Sequence, residues 1–164
     1  FLNDKIVAVI LREPIDRFVS GYFEINVRAH DSPKTLEKEF WYIEKEPDRF
    51  NKFINEVGED FFDTHIEPQI NYITDNDNNI IKIDKWILLN DMSSELQKIL
   101  NVNFKKRNDS NVVTKQIIMP VEKSWYHTHL NYNTQYKSYL EFLYKDDILL
   151  YNKILKEKDT QDED

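Results

Sequence analysis

A continuous apolar segment near the start of the chain constrains the fold more than any other feature. Residues 6–11 are all apolar, are rich in β-branched side chains and show no alternation with polar residues. Such a run is typical of a central parallel strand that is covered on both faces. Pro14 follows shortly afterwards and favours a helix start, because the first helical position needs no N–H donor. The segment therefore predicts a strand, a turn and a helix within an α/β fold.

Arg12 and Ser20 are the first candidate binding residues. Arg12 follows the predicted strand directly, at the sheet edge where open α/β folds bind their ligands. Ser20 lies about two turns into the predicted helix. A guanidinium group supplies a charge-assisted fork to a phosphate, and a hydroxyl can add a further hydrogen bond. The pair therefore indicates an anion site, with a surface arginine and an unrelated helical serine as the alternative.

The composition of the chain limits the classes of function. With 164 residues, 40% of them hydrophobic, the chain can form one domain with a substantial core. The net charge of −8 argues against broad binding to nucleic acid or anionic membranes. The absence of cysteine excludes disulfides and thiolate metal sites. No apolar run approaches the roughly 20 residues of a membrane span, and two glycines are too few for a glycine-rich phosphate loop.

Two further helices are predicted from local signals. Pro47 suits the first position of a helix whose apolar residues recur at helical spacing and should face the core: Phe50, Phe53, Ile54 and Val57. A single long helix is predicted over residues 136–155 from the same periodicity. We expect one domain over residues 1–155 and a charged, frayed tail over residues 156–164. Residues 80–89 are predicted to form one strand or two short ones.

Residues 11–22 closely resemble the R-D/E-P-x-x-R-x-x-S-x-Y segment of sulfotransferases that use 3′-phosphoadenosine 5′-phosphosulfate (PAPS). The match is best to the carbohydrate sulfotransferase branch. In that family the first arginine and the serine of this segment hold the 3′-phosphate of the donor. The resemblance therefore implies that Arg12 and Ser20 bind the 3′-phosphate of PAPS.

Later segments resemble the same family in the same order. Residues 63–73 resemble its D-x-H-x-x-P-Q segment, which is expected to line the active-site side of the domain. The histidine of this segment is His65, which could act as a base or donate to sulfate oxygens. The alternative is a partly buried histidine held by a main-chain carbonyl. Residues 143–151 resemble the closing helix of the family, whose implied role is to pack against the sheet.

A basic segment between these regions resembles the family loop that closes over the donor nucleotide. It contains Lys105, Lys106 and Arg107, which could reach the nucleotide phosphates. Arg107 is retained as the candidate donor-binding residue. A solvated run of positive charge is the alternative for at least two of the three side chains.

The resemblance implies a P-loop-like, helix-rich α/β fold with a parallel sheet flanked by helices. The implied reaction transfers a sulfuryl group from PAPS to a hydroxyl of a sugar or glycan, leaves adenosine 3′,5′-bisphosphate and uses no metal. The 5′-phosphosulfate loop of the family lies upstream of the 3′-phosphate motif, and Phe1 comes too late to include it. We therefore expect an N-terminally truncated sulfotransferase domain. The alternative is a non-catalytic binding or interaction module that has lost the loop, and a P-loop kinase is a weaker reading.

His127 and His129 would share one face of a strand and could begin a metal site. No third ligand follows at a diagnostic spacing, so a coincidental aromatic and polar loop is favoured and no metal is predicted. The lack of cysteine favours a cytoplasmic protein over a Golgi lumenal one, which a eukaryotic carbohydrate sulfotransferase would be. We predict no nucleic-acid partner, and neither the oligomeric state nor the particular acceptor can be predicted.

Overall fold

A computed structural model describes residues 5–31, 47–57, 63–101 and 123–161. The strands and α-helices of these residues are β1 (Ala8–Leu11), α1 (Pro14–Asp31), α2 (Pro47–Glu56), β2 (Lys85–Leu88), α3 (Met92–Leu100), α4 (Lys123–Tyr132), α5 (Thr134–Leu143) and α6 (Lys145–Gln161). Short 3-10 helices cover Gln69–Tyr72 and Leu89–Asp91. The prediction of a helix-rich α/β fold is confirmed. No helix in the described ranges has the length and apolar character needed to cross a membrane.

The two described strands pair in parallel. Ala8 lies opposite Lys85 and Leu11 lies opposite Leu88, so the strands are in register over their full length. The side chain of Asp84 extends the pairing, because its carboxylate accepts the main-chain N–H of Val7 at 2.9 Å. The predicted parallel sheet is therefore present, and Arg12 follows the carboxyl end of β1 directly.

The prediction that β1 is covered on both faces is wrong for the described residues. Leu11 is buried, but Ile6 and Ile10 are 62% and 39% exposed. The strand is also shorter than the apolar run, and β2 is its only paired neighbour in the part of the chain that the structure describes. Burial alternates along β1 because the described elements pack on one face of the sheet, which an unbroken apolar sequence does not reveal.

The predicted starts of the first two helices and the predicted buried face of α2 are confirmed. Helix α1 begins at Pro14, and α2 begins at Pro47. The four apolar residues predicted to lie on the inner face of α2 are at most 2% exposed. They belong to the helical core, whose buried members are Phe18, Val19, Tyr22, Phe23, Ile25, Phe50, Phe53, Ile54, Val57, Ile66, Tyr126, Leu130, Leu140 and Tyr144.

A second cluster, the sheet core, joins β1 and β2 to α6 and to the 3-10 segment at Gln69–Tyr72. Its buried members are Leu11, Ile73, Leu88, Leu150 and Ile154. Of the predicted strand residues 80–89, Lys85–Leu88 form β2, whereas Ile80 makes an isolated antiparallel bridge with Thr74. The prediction of two short strands is therefore closer to the structure than the prediction of one long strand.

The single helix predicted over residues 136–155 is in fact two helices, with a break at Tyr144. The buried hydroxyl of Tyr144 donates to the carbonyl oxygen of Ile66 at 2.5 Å. Burial raises the pKa of Tyr144 above its ordinary value, so this hydroxyl stays protonated. The predicted frayed tail is also wrong over residues 156–161, because α6 continues to Gln161 and Lys158 bonds Asp91 at 2.8 Å.

Candidate functional site

The main chain of Arg12 is fixed by the side chain of Gln69. The N–H of Arg12 donates to Oε1 of Gln69 at 3.1 Å, and Nε2 of Gln69 donates to the carbonyl oxygen of Arg12 at 2.9 Å. An amide side chain can pair in this way because it carries a donor and an acceptor side by side. The tip of β1 is thereby tied to the 3-10 helix Gln69–Tyr72, and the direction in which the Arg12 side chain leaves the strand is set.

The guanidinium group of Arg12 lies along the first two turns of α1. Its Nη2 donates to Oγ of Ser20 at 2.6 Å, and its Nε donates to Oδ2 of Asp16 at 2.5 Å. Asp16 and Ser20 are four residues apart on the helix and so share a face. The structure thus brings together the two residues predicted to form an anion site, and it adds Asp16, which the sequence analysis did not assign to the site.

Arg12 and Ser20 open onto a cleft of about 580 Å³ between α1 and the segment that begins at residue 63. The residues that line this cleft are Arg12, Arg17, Ser20, Gly21, Glu24, Thr64, His65 and Leu89. His65, the predicted catalytic residue, therefore shares the cleft with the predicted donor-binding pair.

Arg17 adds a second positive charge to the cleft. Its guanidinium group donates to the main-chain carbonyl oxygens of Thr64, at 3.0 Å, and of Glu67. Because these acceptors are neutral, the bonds orient the guanidinium group without cancelling its charge. No role for Arg17 was predicted from the sequence, although it is the second arginine of the motif that contains Arg12 and Ser20.

His65 is held by a carboxylate. Its Nδ1 pairs with Oδ1 of Asp63, and its main-chain N–H donates to the same oxygen at 2.8 Å. The alternative reading, in which a main-chain carbonyl holds the ring, is wrong. A carboxylate partner assigns the proton to Nδ1 and leaves the lone pair on Nε2, which is the tautomer that a general base requires. The side chain is 24% exposed, so the ring can be reached from the cleft.

Gly21 sets the width of the cleft. A Cβ atom at this position would lie 2.7 Å from the carbonyl oxygen of His65 and would overlap Cγ2 of Ile66. Helix α1 can therefore approach the segment carrying His65 this closely only where it has no side chain. This contact brings the hydroxyl of Ser20 and the ring of His65 onto the walls of the same cleft.

Of the remaining predicted residues, His127 and His129 do not line the cleft. Arg107 lies outside the described residues. His127 and His129 lie on α4, so the readings that placed them on a strand or in a loop are wrong. Side chains that are two residues apart on a helix point in directions that differ by roughly 200°. The two imidazoles accordingly contact different partners. His127 faces Asp16 at 3.4 Å, and His129 bonds Asn51 at 2.9 Å.

The described residues also contain no cluster of three or more acidic or histidine side chains placed to hold a metal ion. The residues that line the cleft carry an imidazole and the Glu24 carboxylate together with hydrogen-bond donors, namely two guanidinium groups and the hydroxyls of Ser20 and Thr64. Donors of this kind bind oxyanions such as phosphate and sulfate. Fold and cleft together therefore define a helix-rich α/β protein whose cleft, at the carboxyl end of a parallel strand, carries donors of the kind that suit an oxyanion.

The model of the sulfotransferase family matches residues 2–153, which is nearly the whole chain. The chain belongs to the sulfotransferase family, and sulfuryl transfer is the general chemistry of that family. No curated protein and no solved structure matches the chain significantly.

Proposed function

We propose that this chain transfers a sulfuryl group from PAPS to a hydroxyl group of a sugar or glycan, and that its cleft binds the 3′-phosphate end of the donor. The observation that carries the proposal is the 2.6 Å hydrogen bond between Arg12 and Ser20 on the wall of that cleft. Two donors this close together can contact neighbouring oxygens of one phosphate group. Membership of the sulfotransferase family supports the reaction class, and the motif around Arg12 supports the donor and the carbohydrate acceptor.

The two positive charges of the cleft, on Arg12 and Arg17, suit a phosphate dianion, and the Glu24 carboxylate that also lines the cleft opposes one. Arg12 and Ser20 would contact the phosphate oxygens, and Arg17 would add positive potential from the same side. Asp16 opposes the ligand, because its carboxylate occupies Nε of Arg12. A phosphate must therefore displace this carboxylate or share the guanidinium group with it. Arg107 is assigned to the phosphates of the nucleotide by the motif alone.

The proposed reaction proceeds by in-line transfer. The acceptor hydroxyl oxygen forms a bond to the sulfur of PAPS, the bond from sulfur to the bridging phosphate oxygen breaks, and adenosine 3′,5′-bisphosphate leaves. The hydroxyl proton moves to Nε2 of His65, whose Nδ1 proton is held by Asp63. No metal or redox partner is needed to balance this transfer. Positioning of the two reactants and stabilisation of the sulfate charge would supply most of the rate increase.

Binding of adenosine 3′,5′-bisphosphate to the 164-residue chain tests the donor site. We expect titration calorimetry to show a loss of affinity of about 10- to 100-fold for Arg12→Ala and about 3- to 10-fold for Ser20→Ala, as is typical of charged and neutral hydrogen bonds. Lys153→Ala removes an exposed positive charge on α6, outside the cleft, and should leave the affinity unchanged. Equal affinities for all four proteins would show that the phosphate binds elsewhere.

Turnover separates an enzyme from a binding module. We expect the protein to release adenosine 3′,5′-bisphosphate from PAPS in the presence of a glycan acceptor, and His65→Gln to slow this release more than it weakens donor binding. Binding of the nucleotide without any turnover on a panel of glycans would support the non-catalytic alternative.

A further inference from the structure

Asp147 is a buried carboxylate in the first turn of α6, and only 3% of the residue is exposed. Its Oδ2 accepts the main-chain N–H of Gln69 at 2.6 Å, and its Oδ1 accepts the main-chain N–H of Ile70 at 2.7 Å. Both oxygens thus bind the first residues of the 3-10 helix Gln69–Tyr72. A buried carboxylate is retained in this way only where hydrogen bonds replace the water it loses.

The same glutamine holds the tip of β1. Its side chain pairs with both the N–H and the carbonyl oxygen of Arg12. Three hydrogen bonds therefore connect α6 to Arg12 through Gln69, and a fourth holds the adjacent Ile70 to Asp147. The guanidinium group of Arg12 in turn reaches Ser20. Asp147 and Gln69 are 78 residues apart in the chain, so this connection exists only in the folded protein.

We propose that Asp147 is a positioning residue, which fixes Arg12 for phosphate binding by holding Gln69 in place. The inference rests on the proposed function and deepens it. The Gln69 side chain can pair with Arg12 in both directions only if its main chain stays where the carboxylate of Asp147 holds it. A shift of a few tenths of an ångström at the strand tip would be passed to the guanidinium group and would loosen its contact with Ser20.

The balance of interactions at Asp147 suits this role. Burial raises the pKa of Asp147, whereas the N–H groups of Gln69 and Ile70 and the charge of Arg17 act in the opposite direction. The carboxylate contributes more through the geometry it imposes than through net stability, because its desolvation offsets much of its hydrogen bonding. The side chain packs at the junction of α5 and α6, away from the cleft that Arg12 lines.

The variant Asp147→Asn tests the proposal with almost no change in volume. The amide keeps one acceptor but turns an NH₂ group towards a main-chain N–H, so one of the two bonds becomes a clash of donors. We expect the affinity for adenosine 3′,5′-bisphosphate to fall about tenfold. In an Arg12→Ala background the same substitution should have almost no effect, because the residue through which Asp147 acts is gone.

The matched control is Tyr139→Phe. It removes one partly buried hydrogen bond, from the Tyr139 hydroxyl to the carbonyl oxygen of Val57 at 2.6 Å, between α5 and the end of α2. We expect it to lower stability by a similar amount without changing nucleotide affinity. If the losses of affinity from Asp147→Asn and Arg12→Ala simply add, Asp147 acts on nucleotide binding independently of Arg12 and the proposal is overturned.

Amide hydrogen exchange at Arg12, followed by NMR, gives a readout that needs no ligand. We expect exchange of the Arg12 N–H to become at least about tenfold faster in Asp147→Asn and in Gln69→Ala. Amides in the middle of α4 should keep their wild-type rates. Unchanged exchange at Arg12 in either folded variant overturns the proposal. If the wild-type protein binds no nucleotide, the proposed function fails, and the exchange rates still decide whether Asp147 positions Arg12.

Discussion

Arg12 contacts an anion of its own chain before any ligand arrives. Its guanidinium group bonds Asp16, while the other carboxylate oxygen of Asp16 lies 3.4 Å from Nε2 of His127. The side chains of Arg12 and Asp16 are 28% and 39% exposed, so water screens the ion pair and it contributes at most about 1 kcal/mol. Under the proposed function, a phosphate dianion that also accepts from Ser20 therefore has only a weak ion pair to displace.

Asp16→Asn should therefore strengthen ligand binding. The substitution removes a negative charge beside the proposed phosphate position and weakens the bond to Nε of Arg12, so we expect the affinity for adenosine 3′,5′-bisphosphate to rise about three- to tenfold. The gain should shrink at high salt, because screening weakens the original repulsion. Glu141→Gln removes an equal charge from an exposed pair on α5 and should leave the affinity unchanged. A loss of affinity in Asp16→Asn would show that Asp16 orients Arg12 rather than competing for it.

Gly21→Ala should have two effects of opposite sign on stability. Alanine is favoured over glycine inside a helix by about 1 kcal/mol, but here its Cβ would meet the carbonyl oxygen of His65 at 2.7 Å. Because a main-chain atom cannot move aside as a side chain can, we expect the packing effect to win and the free energy of unfolding to fall by about 1–3 kcal/mol. Urea denaturation measures the sign directly, and an increase in stability would mean that α1 does not approach residue 65 this closely.

At the scale of elements, β2 and α3 are joined by Glu95. Its carboxylate bonds Lys98 at 2.8 Å on its own helix and Lys85 at 3.1 Å on the strand. The hydrogen bond from Lys98, followed by that from Lys85, lowers the pKa of Glu95 to about 2. Since the folded-state pKa lies below the unfolded one, the stabilisation is present above about pH 4.5 and is lost as the pH falls towards 2.

Glu95→Gln should accordingly lower the free energy of unfolding at pH 7 by at most about 1 kcal/mol, since the pair is close to the surface. The difference from the wild type should narrow as the pH falls from 5 to 3. Urea denaturation at several pH values measures it. Glu141→Gln, in a longer and more exposed pair, serves as the control and should show almost no difference at any pH. A difference for Glu95→Gln that stays constant with pH would contradict the assigned ion pairs.

The elements that could be predicted are those whose boundaries are marked by residues in the local sequence. Pro14 and Pro47 mark helix starts because proline acts on its own backbone and on the residue before it. The break at Tyr144 has no such signal. The apolar periodicity continues through it without glycine or proline, and it coincides with the tertiary hydrogen bond from Tyr144 to Ile66. The exposed face of β1 was not predicted for a related reason. The apolar character of Ile6 and Ile10 does not specify whether another element packs against them.

On the scale of the molecule, the cleft lies where the two cores meet. Leu11, the last residue of β1, belongs to the sheet core, and Phe18, about one turn into α1, belongs to the helical core. Arg12 lies in the chain between these two residues. The same junction is crossed on the other side by α6, which supplies Leu150 to the sheet core and Asp147 to the segment that holds Arg12.

This arrangement explains which site residues the sequence could reveal. Arg12 and Ser20 are eight residues apart within one strand–turn–helix unit, so their proximity follows from local geometry. His65 could be named from its motif, but its pairing with Asp63 could not. Asp147 gave no signal of its role, because its partners lie 77 and 78 residues away and a buried aspartate near a helix start looks like an ordinary first-turn residue.

The proposed donor site requires that the Arg12 cleft recognises the 3′-phosphate of the donor. The most direct test compares adenosine 3′,5′-bisphosphate with adenosine 5′-monophosphate, which lacks only that phosphate, by calorimetry on the wild type and on Arg12→Ala. We expect the wild type to prefer the bisphosphate by about 10- to 100-fold and the variant to lose nearly all of that preference. A preference that survives unchanged in Arg12→Ala would show that Arg12 does not bind the 3′-phosphate.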